Sequence, residues 1–129
     1  KFILLSPSID SVKEFCLVLK EDVKILENKW PGPTTFLLER SSDKYKYLSH
    51  LGRHAVRVSA HKPLIKLLDF FGSEIVSTSA NISGENEIKN KDDIVNFFNY
   101  EDVALFDNSL GNLKKPTKIF DLKLKKYIR

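Results

Sequence analysis

Ser77-Thr78-Ser79-Ala80-Asn81-Ile82-Ser83-Gly84 is the stretch of this 129-residue chain around which the other elements are arranged. It follows Glu74-Ile75-Val76, which has the composition of the end of a buried strand. Small side chains let a ligand approach the backbone, Gly84 can adopt a positive φ, and the hydroxyl groups and the Asn81 amide add hydrogen-bonding groups. Such a loop suits an anion, for example a phosphate or a carboxylate. A plain polar turn has the same composition, so the stretch alone leaves both interpretations open.

Length and composition predict a single domain over residues 1–129. Hydrophobic residues make up 42% of the chain and charged residues 29%, as is ordinary for a globular protein. No apolar run approaches the roughly 18 residues that a membrane span needs. Because Cys16 is the only cysteine, no internal disulfide can form, which favours a cytoplasmic location. A net charge of +4 is too modest to indicate nucleic-acid binding by itself.

Strand and helix patterns alternate along the chain, which predicts a mixed α/β fold with a twisted, mostly parallel or mixed sheet flanked by helices. Strands are predicted at residues 2–5, 34–38, 54–59, 74–76, 103–106, 119–122 and 125–128. Helices are predicted at residues 9–19, 23–26, 63–71 and 94–98. The third helix is apolar almost all round and is therefore predicted to be buried on nearly every side. The strand–helix–strand unit from residue 54 to residue 76 predicts parallel neighbouring strands.

The ends of these helices carry recognisable signals. Ser8 or Asp10 is the predicted N-cap of the first helix, and Gly72 is predicted to end the third. Asp92 or Asp93 is the predicted N-cap of the fourth.

Arg57 and Trp30 each have both a functional and a structural interpretation. Arg57 lies within an apolar strand, where its charge is costly unless an anion or a carboxylate pairs with it. A bound ligand and an internal salt bridge both satisfy that need. Trp30 precedes Pro31-Gly32-Pro33, and a rigid corner packed on the core is favoured over a ligand-contacting wall.

His50 and His54 are separated by a glycine and followed by a strand, so they are not predicted to form a metal pair.

The order of the motifs resembles that of the YrdC-like family, the threonylcarbamoyl-AMP synthases. That family carries a W-P-G-P-[LV]-T block, an A-[VI]-R-x-P block, an S-T-S-A-N-x-S-G loop and a P-S-T-I block, and ends near an arginine. The matching positions in this chain are residues 30–35, Ala55-Val56-Arg57, residues 77–84, Pro116-Thr117-Lys118-Ile119 and Arg129. The resemblance extends over essentially the whole chain.

The resemblance implies an activity and a set of ligand-binding residues. Family members condense L-threonine, bicarbonate and ATP, expected with Mg²⁺, into threonylcarbamoyl-adenylate and pyrophosphate for the t6A modification of tRNA. tRNA and tRNA-modification proteins are therefore further candidate partners. The residues that the resemblance places at the ATP and threonine site are Arg53, Arg57, Ser77, Ser79, Asn81, Thr117 and Arg129.

This chain also departs from the family pattern. Thr117 replaces a serine but keeps its hydroxyl, Lys118 replaces a threonine, and Ser59 stands where the family usually has proline. The family's K-x-R motif and a threonine followed by Y-G-L precede the strand on which this chain opens, and the sequence contains no methionine. An N-terminal segment of the fold is therefore expected to be missing, and the chain alone is expected to bind ATP weakly and to turn over little or not at all.

Two other functions remain open. One is a non-catalytic remnant that binds a nucleotide or threonine. The other is an RNA-binding module that uses the basic residues of the C-terminal tail, although only Phe120 and Tyr127 lie among those charges to stack on bases. The tail more ordinarily protects a sheet edge. Its basic residues are Lys114, Lys115, Lys118, Lys123, Lys125, Lys126 and Arg129.

Overall fold

The computed structural model describes residues 2–82, 84–98, 101, 103–109, 111, 113 and 115–129. These residues form a six-stranded sheet in the order β4-β1-β3-β2-β5-β6. The strands are β1 (Ile3–Leu5), β2 (Thr35–Glu39), β3 (Arg53–Arg57), β4 (Ile75–Ser77), β5 (Ile119–Asp121) and β6 (Lys126–Tyr127). The helices are α1 (Ile9–Lys13), α2 (Lys20–Glu27), α3 (Lys62–Phe71) and α4 (Lys91–Phe97), with a short 3₁₀ turn at Lys46–Leu48.

The sheet is mixed, as the sequence predicted. Strand β1 is parallel to β3 and β2 is parallel to β5, whereas β1–β4, β2–β3 and β5–β6 are antiparallel pairs. The predicted parallel arrangement of β3 and β4 is wrong, because β1 lies between them and runs opposite to β4. Arg57 and Ile75 both pair with Leu5. The connection that contains α3 therefore leaves and re-enters the sheet at the same end, and the chain runs in the reverse direction along β4.

Helix α1 is shorter than predicted. Its N-cap is Ser8, whose hydroxyl accepts a hydrogen bond from the Ser11 amide at 3.1 Å, in agreement with the sequence signal. The helix ends at Lys13, and Cys16 instead forms a bridge with Arg40 beyond the end of β2. Hydrogen bonds to the neighbouring strand thus replace the last predicted turns. Cys16 is buried as predicted, and burial raises the pKa of its thiol to about 12.

The core lies between one face of the sheet and helices α1 and α2. Leu4, Phe36, Leu38 and Val56 contribute from the strands. Trp30 is 3% exposed and packs edge-to-face on Phe36, with ring centroids 5.0 Å apart. Its indole N–H donates to the carbonyl of Thr34 at 2.6 Å. The prediction that Trp30 forms a buried corner is confirmed.

Helix α3 is not buried on nearly every side. Leu68 is its only buried residue, whereas Phe70 is 90% and Phe71 63% exposed. A helix at the surface of a globular protein buries a single stripe, and an apolar composition does not change that geometry. Gly72 ends the helix in the left-handed conformation at φ 74°, as predicted.

The C-terminal part contains two further corrections. Residues 103–106 form no strand, since they pair with no neighbouring strand in the described part of the chain. Helix α4 is capped by Asn90, whose side-chain oxygen accepts from the Asp93 amide at 2.8 Å, rather than by Asp92 or Asp93. The last two strands are present as predicted and form the antiparallel pair β5–β6. Among the described residues, no helix has the length and apolarity to cross a membrane.

Candidate functional site

Strand register places Arg53 and Arg57 on the sheet face opposite to helices α1 and α2. Successive residues of a strand point to opposite faces, so Arg53, Ala55 and Arg57 share one face. Phe36 pairs with Val56, and the preceding residue Thr35 therefore lies beside Arg57 on that same face. We call this surface the arginine face.

Arg57 is the last residue of β3 and is half-buried. One terminal nitrogen, Nη1, donates to the hydroxyl of Thr117 at 3.2 Å. Its Nε is buried and has no hydrogen-bond partner within the described residues. Burial lowers the pKa of the Arg57 guanidinium, yet an arginine side chain keeps its charge in proteins. The internal salt bridge considered from the sequence is therefore not formed within the part of the chain that the structure describes.

Thr117 connects three parts of this site. Its hydroxyl lies 3.2 Å from the hydroxyl of the fully buried Thr35, in addition to its contact with Arg57. The backbone carbonyl of Thr117 accepts from Nη2 of Arg129 at 3.2 Å. The structure thus brings together three of the residues predicted from the family motifs: Arg57, Thr117 and Arg129.

A cavity of about 410 Å³ opens beside this cluster. Arg57, Ser59, His61 and Thr117 supply polar groups, and the remaining walls are largely apolar. A pocket with apolar walls and a few convergent polar groups is the usual form of a small-molecule site. The residues that line it are Gly32, Pro33, Arg57, Ser59, Ala60, His61, Leu64, Gly111, Leu113 and Thr117.

Gly32 shows why the Pro-Gly-Pro corner suits this wall. A Cβ atom at this position would lie 2.3 Å from the carbonyl oxygen of Lys29, so only glycine fits. The Gly32 amide donates to the carbonyl of Val58 at 2.8 Å, which ties the corner to the segment that follows β3. The corner therefore packs into the core through Trp30, and its Gly32 and Pro33 form part of the cavity wall.

Arg53 lies at the other end of β3, roughly 13 Å from Arg57 along the strand. Its Nη1 donates to the carboxylate of Asp121 at 2.8 Å, and the Asp121 side chain is only 3% exposed. This ion pair gives Arg53 a structural partner away from the 410 Å³ cavity. Its predicted role in ligand binding stays a prediction.

The serine-rich loop begins at the C-terminal end of β4, as predicted, and its described residues are not helical. Ser77 pairs with Ile3, so it shares the arginine face but lies toward the end of the sheet opposite to Arg57. Ser79 is exposed, and the Asn81 amide donates to the carbonyls of Ile82 at 2.8 Å and Glu85 at 3.0 Å. In this structure the three side chains do not line the Arg57 cavity, and their ligand-binding roles stay predictions.

Three polar residues at or beside the cavity were not identified from the sequence as site residues: Ser59 and His61 line it, and Thr35 contacts Thr117 next to it. Thr35 was interpreted as a strand former, although its alternation with Leu37 places it on the same face as Arg57. Ser59 follows Arg57 by two residues, and the same period of two could have indicated it. His61 carries no such signal, because only the packing of distant segments brings it to the cavity.

Comparisons with known proteins agree with this fold. The Sua5/YciO/YrdC family model, described as "Telomere recombination", matches residues 1–129. A threonylcarbamoyl-AMP synthase of Buchnera aphidicola subsp. Acyrthosiphon pisum is 38% identical over 98% of this chain and 74% of its own length. A second, from Buchnera aphidicola subsp. Baizongia pistaciae, is 32% identical over 94% of this chain and 67% of its own length.

Solved structures show the same architecture. P. abyssi Sua5 complexed with L-threonine superposes with a TM-score of 0.81 at 24% identity, over 95% of this chain and 36% of that protein. E. coli YciO gives a TM-score of 0.78 at 21% identity, over 99% of this chain and 66% of its own.

The fold and the motif order define a protein of the class to which Sua5 and YciO belong. The chain belongs to the Sua5/YciO/YrdC family. It spans about three-quarters of one curated relative and little more than a third of P. abyssi Sua5.

Proposed function

We propose that this chain carries a ligand-binding part of a threonylcarbamoyl-AMP synthase. Such an enzyme condenses L-threonine, bicarbonate and ATP into threonylcarbamoyl-adenylate and pyrophosphate, which serves the t6A modification of tRNA. Curated relatives of that name, at 38% and 32% identity, support the proposal. The single cysteine, buried as a free thiol, supports a cytoplasmic setting for this reaction.

The observation that carries the proposal is the state of Arg57. A half-buried guanidinium, whose buried Nε has no partner in the described part of the chain, lines a cavity, and a desolvated donor of this kind is costly unless a ligand satisfies it. A phosphate or carboxylate oxygen matches the fork of donors that arginine offers. We therefore assign to Arg57 an anionic group of the nucleotide or of threonine.

The chemistry places modest demands on such a site. Transfer of an adenylyl group requires the reactants to be held in line and the charge that develops on phosphate oxygens to be stabilised. Arg57 supplies positive charge at the cavity, while the carbonyl and hydroxyl of Thr117 hold Arg129 and Arg57 close to one another. Threonine, bicarbonate and tRNA are proposed as further ligands on the same family argument.

Mg²⁺ is expected to accompany the triphosphate. In the part of the chain that the structure describes, no three His, Cys, Asp or Glu side chains come together in a way that would hold a metal ion. We treat the ion as part of the nucleotide substrate, held by phosphate oxygens and water. No step of the proposal is assigned to a protein-bound metal.

The alternative of an RNA-binding module receives less support from the tail. Phe120 packs edge-to-face against Phe36 and Tyr127, at centroid distances of 5.4 and 5.0 Å. Lys118 lies over the Tyr127 ring at 5.5 Å. Both aromatic rings thus already have intramolecular partners, which reduces the surface they can offer to bases.

Titration of ATP, measured by calorimetry, tests the proposal. Arg57→Ala should weaken binding by about 10- to 150-fold, since a hydrogen bond to a charged group contributes about 1.5–3 kcal/mol. Ser79→Ala should cost less, because a neutral hydroxyl bond contributes only about 0.5–1.5 kcal/mol. Arg40→Ala, an exposed arginine outside the cavity, is the matched control and should bind as the wild type does.

Equal affinities in all four proteins would remove Arg57 and the serine loop from the site. Pyrophosphate release with threonine and bicarbonate is measured in parallel. Binding without turnover fits the non-catalytic remnant. Robust turnover would exclude the remnant.

A further inference from the structure

His61 is held rigidly at the rim of the Arg57 cavity. It immediately precedes α3, and its backbone amide donates to the hydroxyl of Ser59 at 3.2 Å. Its carbonyl accepts from the amide of Ile65 at 3.0 Å, in the first turn of the helix. Because both sides of its backbone are bonded, the imidazole projects from a fixed point beside the cavity.

The imidazole contacts a segment far away in sequence. Its Nε2 lies 2.8 Å from the backbone carbonyl of Ser109. A carbonyl oxygen can only accept, so Nε2 carries the proton in this contact. The same ring lies directly against Gly111, where an added Cβ would be 3.2 Å from Nδ1 and 3.3 Å from Cε1. Gly111 also has φ +73°, a conformation that glycine adopts without strain.

Within the described part of the chain, the segment that carries Ser109 and Gly111 has few other attachments. Residues 103–109 have no regular secondary structure. Lys91 forms an ion pair with Asp107, but both side chains are more than half exposed, and pairs of that kind contribute little. Gly111 and Leu113 nevertheless line the Arg57 cavity. Among the described residues, the bond from His61 is a direct tie between this wall and the start of α3.

We propose that His61 is a positioning residue of the site: its imidazole holds the backbone of Ser109 and Gly111 as one wall of the cavity that faces Arg57. The proposal rests on the proposed function, since it assigns that cavity to the ligand. His61 itself does not need to touch the ligand. Its effect is to fix how closely the wall approaches the bound nucleotide.

The experiment compares His61→Ala, His61→Gln and, as a matched control, His50→Ala, which removes an exposed histidine outside the cavity. Backbone order at Gly111, measured without ligand as the heteronuclear NOE of its amide by NMR, reports the wall directly. We expect a lower NOE in His61→Ala, the wild-type value in His50→Ala and an intermediate value in His61→Gln, whose amide can still donate to a carbonyl. Gly111→Ala provides a second variant, because its Cβ would displace the wall from the ring.

Calorimetric titration with ATP then tests the consequence for binding. Loss of one neutral hydrogen bond that holds the wall should weaken ATP binding in His61→Ala by about 2- to 12-fold. His61→Gln should restore most of the affinity. A purely structural role would lower the thermal midpoint without changing the affinity of the protein that remains folded.

The outcomes separate this proposal from the proposed function. An unchanged Gly111 NOE in His61→Ala overturns the anchoring role, whatever the ATP affinity is. A lower NOE with wild-type ATP affinity overturns the positioning role. A lower NOE in His61→Ala, when the wild type does not bind ATP, supports the anchor and contradicts the proposed function instead.

Discussion

The two faces of the sheet bury different kinds of side chain. On the face under α1 and α2, apolar side chains interlock, with Phe36 and Val56 fully buried against Trp30 and its neighbours. On the arginine face, the strands bring charged and hydroxyl groups together. There Arg53 pairs with a buried carboxylate, whereas Arg57 has a hydroxyl and, among the residues the structure describes, one nitrogen without a partner.

The difference shows where stability and function are placed in this fold. Apolar packing stabilises in proportion to the area removed from water and requires no ligand. A half-buried arginine with an unpartnered donor stabilises little or nothing by itself, and such residues are concentrated at sites that bind ligands. The comparison predicts that substitutions on the first face reduce stability and that substitutions around Arg57 reduce binding.

Trp30→Ala should have the largest effect on the free energy of unfolding. Replacing this buried ring removes its packing on Phe36 and its hydrogen bond to Thr34, and large-to-small changes of this kind cost about 3–5 kcal/mol. Tyr47→Ala, which truncates an aromatic side chain that is 90% exposed, is the control and should change stability by less than about 0.5 kcal/mol. Denaturant unfolding measures both. Wild-type stability with lost ATP binding in Trp30→Ala would reverse the roles of the two faces.

Arg53→Met should come next. It leaves the Asp121 carboxylate buried without its partner, which typically costs about 3–5 kcal/mol, and we expect the low end because Arg53 is 26% exposed. The double variant with Asp121→Asn should lose less than the sum of the two single changes. ATP titration of the folded single variant also tests the predicted ligand role of Arg53. A loss of affinity as large as that of Arg57→Ala would extend the site along the whole arginine face.

The strands were predictable because local patterns determine them, whereas their neighbours in the sheet were not. Apolar runs identified β1, β2 and β3 within one or two residues of their observed bounds. The order of strands depends on contacts between distant segments. No local pattern indicated that the chain, after α3, re-enters the sheet at the end where β3 leaves it. The burial of α3 was mispredicted for the same reason. Its sequence is apolar, but no local pattern shows whether a distant segment covers Phe70, which is exposed.

The site was predictable to the extent that motifs carry it. Arg57, Thr117 and Arg129 were selected by their places in ordered blocks, and they lie in contact through Thr117. The family pattern could not show that Arg53 has Asp121 as its partner, because that pairing joins residues 68 positions apart. It also gave no indication of His61, whose contact with Ser109 spans 48 positions.

His54 provides the smallest and most specific test, because it is a polar side chain on the apolar face. It is 1% exposed, packs edge-to-face on Phe15 at 5.6 Å, and neither ring nitrogen has a partner among the described residues. Burial, with a smaller contribution from the charge of Arg40, lowers the pKa of His54 below its ordinary value of 6.5. The unfolded chain therefore binds a proton at pH values where the folded chain does not.

Stability linked to His54 is thus complete above pH 6.5 and is lost as the pH falls from there toward the lower pKa of the folded state. One proton can change the free energy of unfolding by at most about 1.4 kcal/mol per pH unit. Urea unfolding between pH 7.5 and pH 5 should show this decline in the wild type and in His50→Leu, which removes an exposed histidine. In His54→Leu the decline should be smaller by the contribution of one proton. Identical slopes in all three proteins would mean that His54 is accessible to protons in the folded state, and the apolar face would then be less closed than its packing indicates.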